Sequence, residues 1–101
     1  MIRIIWTEQA LSDIEEVRAF IARDAPTFAE LFVDRILAAV EHLIDFPEAG
    51  RVVPEFPRSD LRELIRGSYR VVYQAEADHV FIVTVFHTAR LLGPEHISGF
   101  G

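Results

Sequence analysis

The sequence predicts an α+β fold: an N-terminal strand, an antiparallel helical hairpin, and a small, mainly antiparallel sheet with the hairpin on one face, in the order β-α-α-β-β-β. Three observations carry this reading. Apolar residues recur at helical spacing from about residue 8 to residue 45. The break inside that stretch, Asp24-Ala25-Pro26, is so brief that the two helices must lie antiparallel. Three strand-like runs follow, Leu61–Arg66, Tyr69–Glu76 and His79–Thr88, separated only by Gly67-Ser68 and Ala77-Asp78. Such two-residue gaps are hairpin turns, and Gly67 accepts the positive φ of a primed turn at no steric cost.

Taken in order, Ile2–Trp6 reads as a strand, apolar apart from Arg3, which implies an internal or well-covered position. Thr7 is placed to cap the first helix, and Glu8 sits favourably near its dipole. Leu11, Ile14, Val17 and Ile21, widened by Ala10 and Phe20, form its apolar stripe, leaving Asp13, Glu15, Glu16, Arg18 and Arg23 for solvent. Pro26 suits the first position of a second helix that runs to about Asp45. Phe28, Leu31, Phe32, Ile36, Val40, Leu43 and Ile44 form its apolar side. Phe46–Gly50 stops that helix, and Val52–Ser59, with Pro54 and Pro57, reads as an extended connector rather than a strand interior. The chain is expected to be one domain over residues 1–101, with an irregular tail from about Leu91 to which no role is assigned.

The two short turns imply a register for the meander. One face shows Arg62, Leu64, Arg66, Tyr69, Val71, Tyr73, Ala75, Val80, Ile82, Thr84 and Phe86, and its apolar character assigns it to the helices. The other shows Leu61, Glu63, Ile65, Arg70, Val72, Gln74, Glu76, His79, Phe81, Val83, Val85 and His87. Arg70 is expected opposite Val85, with His87 further along, so that Arg and His fringe an apolar strip open to another molecule. For Arg70 an ion pair with Glu63 competes equally with a ligand contact. Arg62 and Arg66 read first as solvated margins.

Composition narrows the classes of function. The chain has no cysteine, which excludes disulfides, thiolate metal sites and thiol catalysis. The four histidines, at 42, 79, 87 and 96, lack paired metal-ligand spacing, so neither metal nor cofactor is expected. No phosphate loop or nucleophile elbow is present, and Glu15-Glu16 lies on a solvated helix face. Every basic residue is Arg, and with a net charge of −6 and a pI near 5.1 free duplex DNA is an unsuitable partner. The apolar N-terminus is too short for a signal peptide and no run reaches membrane-spanning length, so a reducing cytoplasmic setting is expected.

With its strand, helical hairpin, Leu43…Phe46-Pro47…Gly50-Arg51, Leu61-Arg62…Tyr69-Arg70-Val-Val-Tyr73 and Val85-Phe-His87…Arg90, the chain resembles the RelE/ParE superfamily of type II toxins over residues 2 to about 92. The resemblance implies one of two activities. RelE-like members cut messenger RNA in the ribosome, using cations around the scissile phosphate and a late Tyr or His. Carried over, that reading places Arg70, His87 and Arg90 at a catalytic site. It also puts Leu61 and Glu63 where two lysines belong, which removes the electrostatic stabilisation that phosphoryl chemistry needs. No Tyr follows Tyr73, and His87 or His96 would have to stand in.

ParE-like members instead poison DNA gyrase and carry no recognised nuclease site. His87-Thr-Ala-Arg90 resembles the His-x-x-Arg ending of such chains, so the ParE-like function, with no catalytic residues, is the expectation. The resemblance implies a ParD-type antitoxin as partner, in a heterotetramer or larger complex. Its acids would meet Arg62, Arg66, Arg70 and Arg90 beside Val85 and His87, and one of its helices would lie on apolar residues of the hairpin.

Overall fold

The computed structural model describes residues 1–97 and Phe100. Strand β1 (Arg3–Trp6) leads into α1 (Glu8–Ala22) and α2 (Pro26–Glu41), which ends in a 3-10 turn at His42–Ile44. Strands β2 (Arg51–Val52), β3 (Leu61–Arg66), β4 (Tyr69–Ala75) and β5 (His79–His87) follow, then a 3-10 turn at Pro94–His96. The sheet order is β1-β5-β4-β3-β2, with β1 parallel to β5 and every other pair antiparallel. Both predicted two-residue turns form, and Gly67 adopts φ 56°. Among the described residues no helix is long and apolar enough to cross a membrane.

The expected elements are present, but two placements differ. The apolar first strand is an edge strand paired on one side only, to β5, because the central positions belong to the longer β4 and β5. Its apolar residues Ile4 and Trp6 pack on the core from that edge. The connector contains a two-residue strand, Arg51–Val52, at the opposite edge of the sheet. Thr7 caps α1 as expected, accepting from the Ala10 amide at 3.1 Å, and its hydroxyl also reaches the carbonyls of Ile82 and Val83 on β5.

One irregularity decides which side chains share a face. Val72 pairs with Thr84 but Tyr73 with Ile82, so Val83 is an extra residue in β5. Beyond this bulge the register slips by one from the expected pairing: Arg70 faces Phe86 rather than Val85, and Tyr69 faces His87. The slip exchanges two faces. Val85 joins the helix-covered core with Ile14, Ile36, Val71, Tyr73 and Ile82, whereas Phe86 joins a second cluster on the other side.

That second side is not open. Val53, Leu61, Val72, Val83, Leu92 and Ile97 are buried together there, beneath the connector and the C-terminal segment. The tail assigned no role therefore supplies part of a core. The reason is elementary: a sheet face carrying Leu61, Val72 and Val83 exposes apolar area that water disfavours, and the nearest chain covers it.

Asp13, expected in solvent, is buried against the bulge. Its carboxylate accepts from the Val85 amide at 3.0 Å, from the Thr84 hydroxyl, and from Gln9 Nε2 at 2.7 Å. A bulge disrupts the local ladder, and Asp13 supplies an acceptor there while tying α1 to β5. Asp13→Ala should therefore cost about 2–3 kcal/mol, the scale of hydrogen bonds to a charged acceptor plus a stranded amide. Urea unfolding measures this, and a loss below about 0.5 kcal/mol, the range of an ordinary surface change, would refute the bridging role.

Candidate functional site

The candidate residues divide between the two sides of the sheet. On the side covered by the connector, Arg70 is only 5% exposed and Glu63 1%. Arg70 Nε donates to Glu63 Oε1 at 2.7 Å, Nη1 to Glu55 Oε2 at 2.6 Å and to the Arg90 carbonyl at 3.2 Å, and Nη2 to Glu55 Oε1 at 2.7 Å. Nη2 also lies 2.5 Å from Glu63 Oε1. The second oxygen of Glu63 accepts from Arg51 Nε at 2.7 Å. Glu55 closes the arrangement by accepting from the Leu92 amide at 2.7 Å, which fixes the start of the C-terminal segment. The guanidinium carbon stands 4.9 Å from the Phe86 ring centroid, a cation–π distance that the bulge makes possible.

Every nitrogen of the Arg70 guanidinium is thus engaged within the chain. Of the two competing roles, the ion pair with Glu63 is the one present. It is joined by a bidentate pair with Glu55, the geometry in which Arg and carboxylate bind best. The sequence offered no sign of Glu55, which lies on an irregular segment between Pro54 and Pro57 and comes beside Arg70 only in three dimensions.

Electrostatics follow from this geometry. The Arg70 hydrogen bonds, helped by the Leu92 amide and opposed by burial, hold the Glu55 carboxyl down at about 2, from an ordinary value of 4.5. The same bond to Glu55, with Glu63 adding to it, pushes the Arg70 pKa up, so the guanidinium stays charged. Nearby, Tyr73 is fully buried; its hydroxyl accepts from the Gly50 amide at 2.8 Å and donates to the Pro47 carbonyl at 2.9 Å. Burial raises its pKa. A Cβ on Gly50 would lie 2.6 Å from the Glu63 carbonyl oxygen, so the chain passes there only as glycine.

The other expected residues fall elsewhere. Val85 is 2% exposed, inside the core under the helices. Arg62 donates to the Gly50 carbonyl at 2.8 Å, while Arg66 is exposed and reaches its neighbour's carbonyl at 2.7 Å. His87 is exposed at the end of β5, its ring edge-on to Tyr69 with centroids 5.5 Å apart. Its Nδ1 accepts from the Ala89 amide at 3.0 Å, so in the neutral ring Nε2 carries the proton. Tyr69 meets Phe32 of α2 at 5.5 Å, which places His87 on the helix side of the sheet.

A cleft there is lined by Asp13, Glu16 and Phe20 of α1, by Tyr69 and His87, and by Arg90. Arg90 also lines a second cleft that contains Arg70. Arg70, His87 and Arg90 therefore do not converge: Arg70 and His87 sit on opposite sides of the sheet, with Arg90 at the rim between them.

The structure is thus a small α+β domain, and comparison with known proteins gives its class. The ParE toxin model, for the toxin of the parDE type II toxin–antitoxin system, matches residues 4–92. The protein named Toxin RelE2 of Caulobacter vibrioides is 33% identical over 92 residues, covering 90% of this chain and all of that one. The chain belongs to the ParE toxin family of type II toxin–antitoxin systems. Its fold is shared with a solved structure titled as the chromosomal ParDE system from P. aeruginosa, at TM-score 0.70 and 21% identity over 86% of this chain and 96% of that one. It is also shared with the toxin–antitoxin complex RelBE2 from Mycobacterium tuberculosis, at TM-score 0.55 and 23% identity over 85% and 96%.

The depressed Glu55 pKa makes a pH prediction. Because the folded value lies below the unfolded one, its contribution is complete above about pH 4.5 and is lost as pH falls toward 2. The difference corresponds to about 3 kcal/mol. Urea unfolding of the wild type should weaken across that window, and Glu55→Gln should be less stable at pH 7 with a shallower acid limb. Superimposable acid limbs for the two proteins would assign the effect to other carboxylates.

Proposed function

We propose that this chain is a ParE-like toxin that inhibits DNA gyrase in the cytoplasm by binding to it, and that a ParD-type antitoxin holds it inactive. The observation that carries this reading is the state of Arg70. It is the residue that matches the strand arginine of the RelE-like nuclease, yet it has no donor left for a phosphate. Beside it, the position that calls for a cation holds Glu63, a buried carboxylate already shared by Arg51 and Arg70. Recruiting Arg70 to an RNA phosphate would strip Glu55 of its cation and leave Glu63 with Arg51 alone, in a poorly hydrated site where breaking a pair costs several kcal/mol. A protein-binding activity needs no such rearrangement.

The antitoxin assignment draws on the family and on the surface. The solved relative from P. aeruginosa is a ParDE system, and five large apolar side chains of the hairpin, Leu11, Phe20, Phe28, Leu31 and Leu37, are between 43% and 58% exposed. These residues complete the apolar stripes of the two helices without reaching the sheet, so they await cover from outside. Of the arginines expected to meet the antitoxin, Arg62, Arg66 and Arg90 remain at the margin, and Arg70 contributes by holding the sheet face shut.

Purified chain should block ATP-dependent DNA supercoiling by gyrase, and addition of the antitoxin should restore it. Full supercoiling at high toxin excess would sink the gyrase reading. Toxin-dependent cuts in translated message, mapped by primer extension and lost in His87→Ala, would put the nuclease reading in its place.

A further inference from the structure

We propose that the hairpin surface selects a partner segment whose polar residues are basic, with an Arg or Lys side chain seated in the cleft beside Phe20 and Glu16. This rests on the proposed antitoxin partnership and specifies the chemistry of the segment that binds. The first observation is the charge of the hairpin. Glu8, Glu16, Asp24, Asp34, Glu41 and Asp45 are all exposed on or beside the two helices. The central arginine there, Arg18, is already held by Glu15 at 3.5 Å and by Glu30, and the Glu30 hydrogen bond raises its pKa. Arg23 and Arg35 are exposed there too, but nine acids against three arginines over residues 8–45 leave the exposed apolar residues in a net negative field. An acidic segment laid on them would meet like charge, whereas a basic one is drawn in and held in register.

The second observation is the cleft. Phe28 stacks on Phe32 at 6.0 Å, Phe32 meets Tyr69, and Tyr69 meets His87, so a track of rings leads from the start of α2 to the end of β5. Phe20, 58% exposed, lines the cleft with Glu16 and Asp13 of α1, and Arg90 and His96 line it from the C-terminal segment. Aromatic faces beside a carboxylate are the surroundings that a guanidinium or ammonium group prefers. The arginine cluster on the other side of the sheet supplies no counter-attraction for an acidic segment, because Arg70 and Arg51 are spent on Glu55 and Glu63. A second copy of this chain is a poor occupant of the same face, since it would set these acids against themselves.

Two synthetic amphipathic peptides with one leucine pattern, carrying Arg or Glu at the polar positions, distinguish the cases when titrated into the full chain with detection by NMR. The Arg peptide should shift the Phe20, Tyr69 and His87 resonances and bind at least about tenfold more tightly than the Glu peptide, a difference of about 1.4 kcal/mol. Glu16→Lys and Phe20→Ala, both surface changes, should each weaken it about fivefold or more while leaving the melting temperature unchanged. Equal or tighter binding of the Glu peptide, shifts elsewhere on the surface, or indifference to both substitutions would overturn the inference. Concentration-dependent shifts of the same resonances without peptide would assign the face to self-association and overturn it too. None of these outcomes touches the gyrase assay, so the inference and the toxin reading fail separately.

Discussion

The guanidinium of Arg70 is the point through which the sheet, the connector and the C-terminal segment are held together. A charge 5% exposed must be matched, since an unpaired ion in a poorly hydrated site costs several kcal/mol. Two carboxylates match it, from different places: Glu63 on β3 next door, and Glu55 on the connector. Glu55 then holds the Leu92 amide, and Arg70 itself takes the Arg90 carbonyl. The polar cluster thereby sets where the connector and tail cross the sheet, and Val53, Leu92 and Ile97 fill the space beneath them. Whether such a cluster adds net stability over an apolar replacement is secondary; its geometry specifies one arrangement of otherwise irregular chain.

The bulge at Val83 plays the matching part on the helix side. One extra residue turns Val85 inward and brings Phe86 under the Arg70 guanidinium, and Asp13 answers the disturbed ladder from α1. The two devices are linked along β4 and β5, where Arg70 pairs with Phe86 and Tyr69 with His87. They leave the protein with one closed face, rich in paired charge, and one acidic, partly apolar helical face exposed to partners. This division ties the connector and tail to one side of the sheet and leaves exposed apolar and acidic side chains on the other.

Much of the fold was legible because its signals are local. Thr7 before an apolar stripe marks a helix start, Pro26 a second one, and Gly67-Ser68 a hairpin, each through the conformational preference of one or two residues. The site was less legible. Period-two alternation puts Val85 and Phe86 on the wrong faces, because a bulge has no reliable sequence mark and shifts every residue beyond it. The burial of Asp13 is not legible, because a carboxylate at one helical position carries no sign of the strand amide it meets 72 residues away.

What the sequence determined by itself was the order and type of the elements other than the short edge strand β2, the two turns and the family. Its absence of cysteine and lysine and its acidic first half also limited the chemistry and the partners open to the chain. Tertiary structure alone decided that Ile65 to Arg90 carries Arg70 and His87 on opposite sides, and that Glu55 and the tail close over one of them. The physical reason is distance along the chain. Turns and helix caps are settled within a few residues, whereas the pairing of Arg70 with Glu55, and of Asp13 with the bulge, is settled by which buried groups lack partners once the sheet and helices have packed.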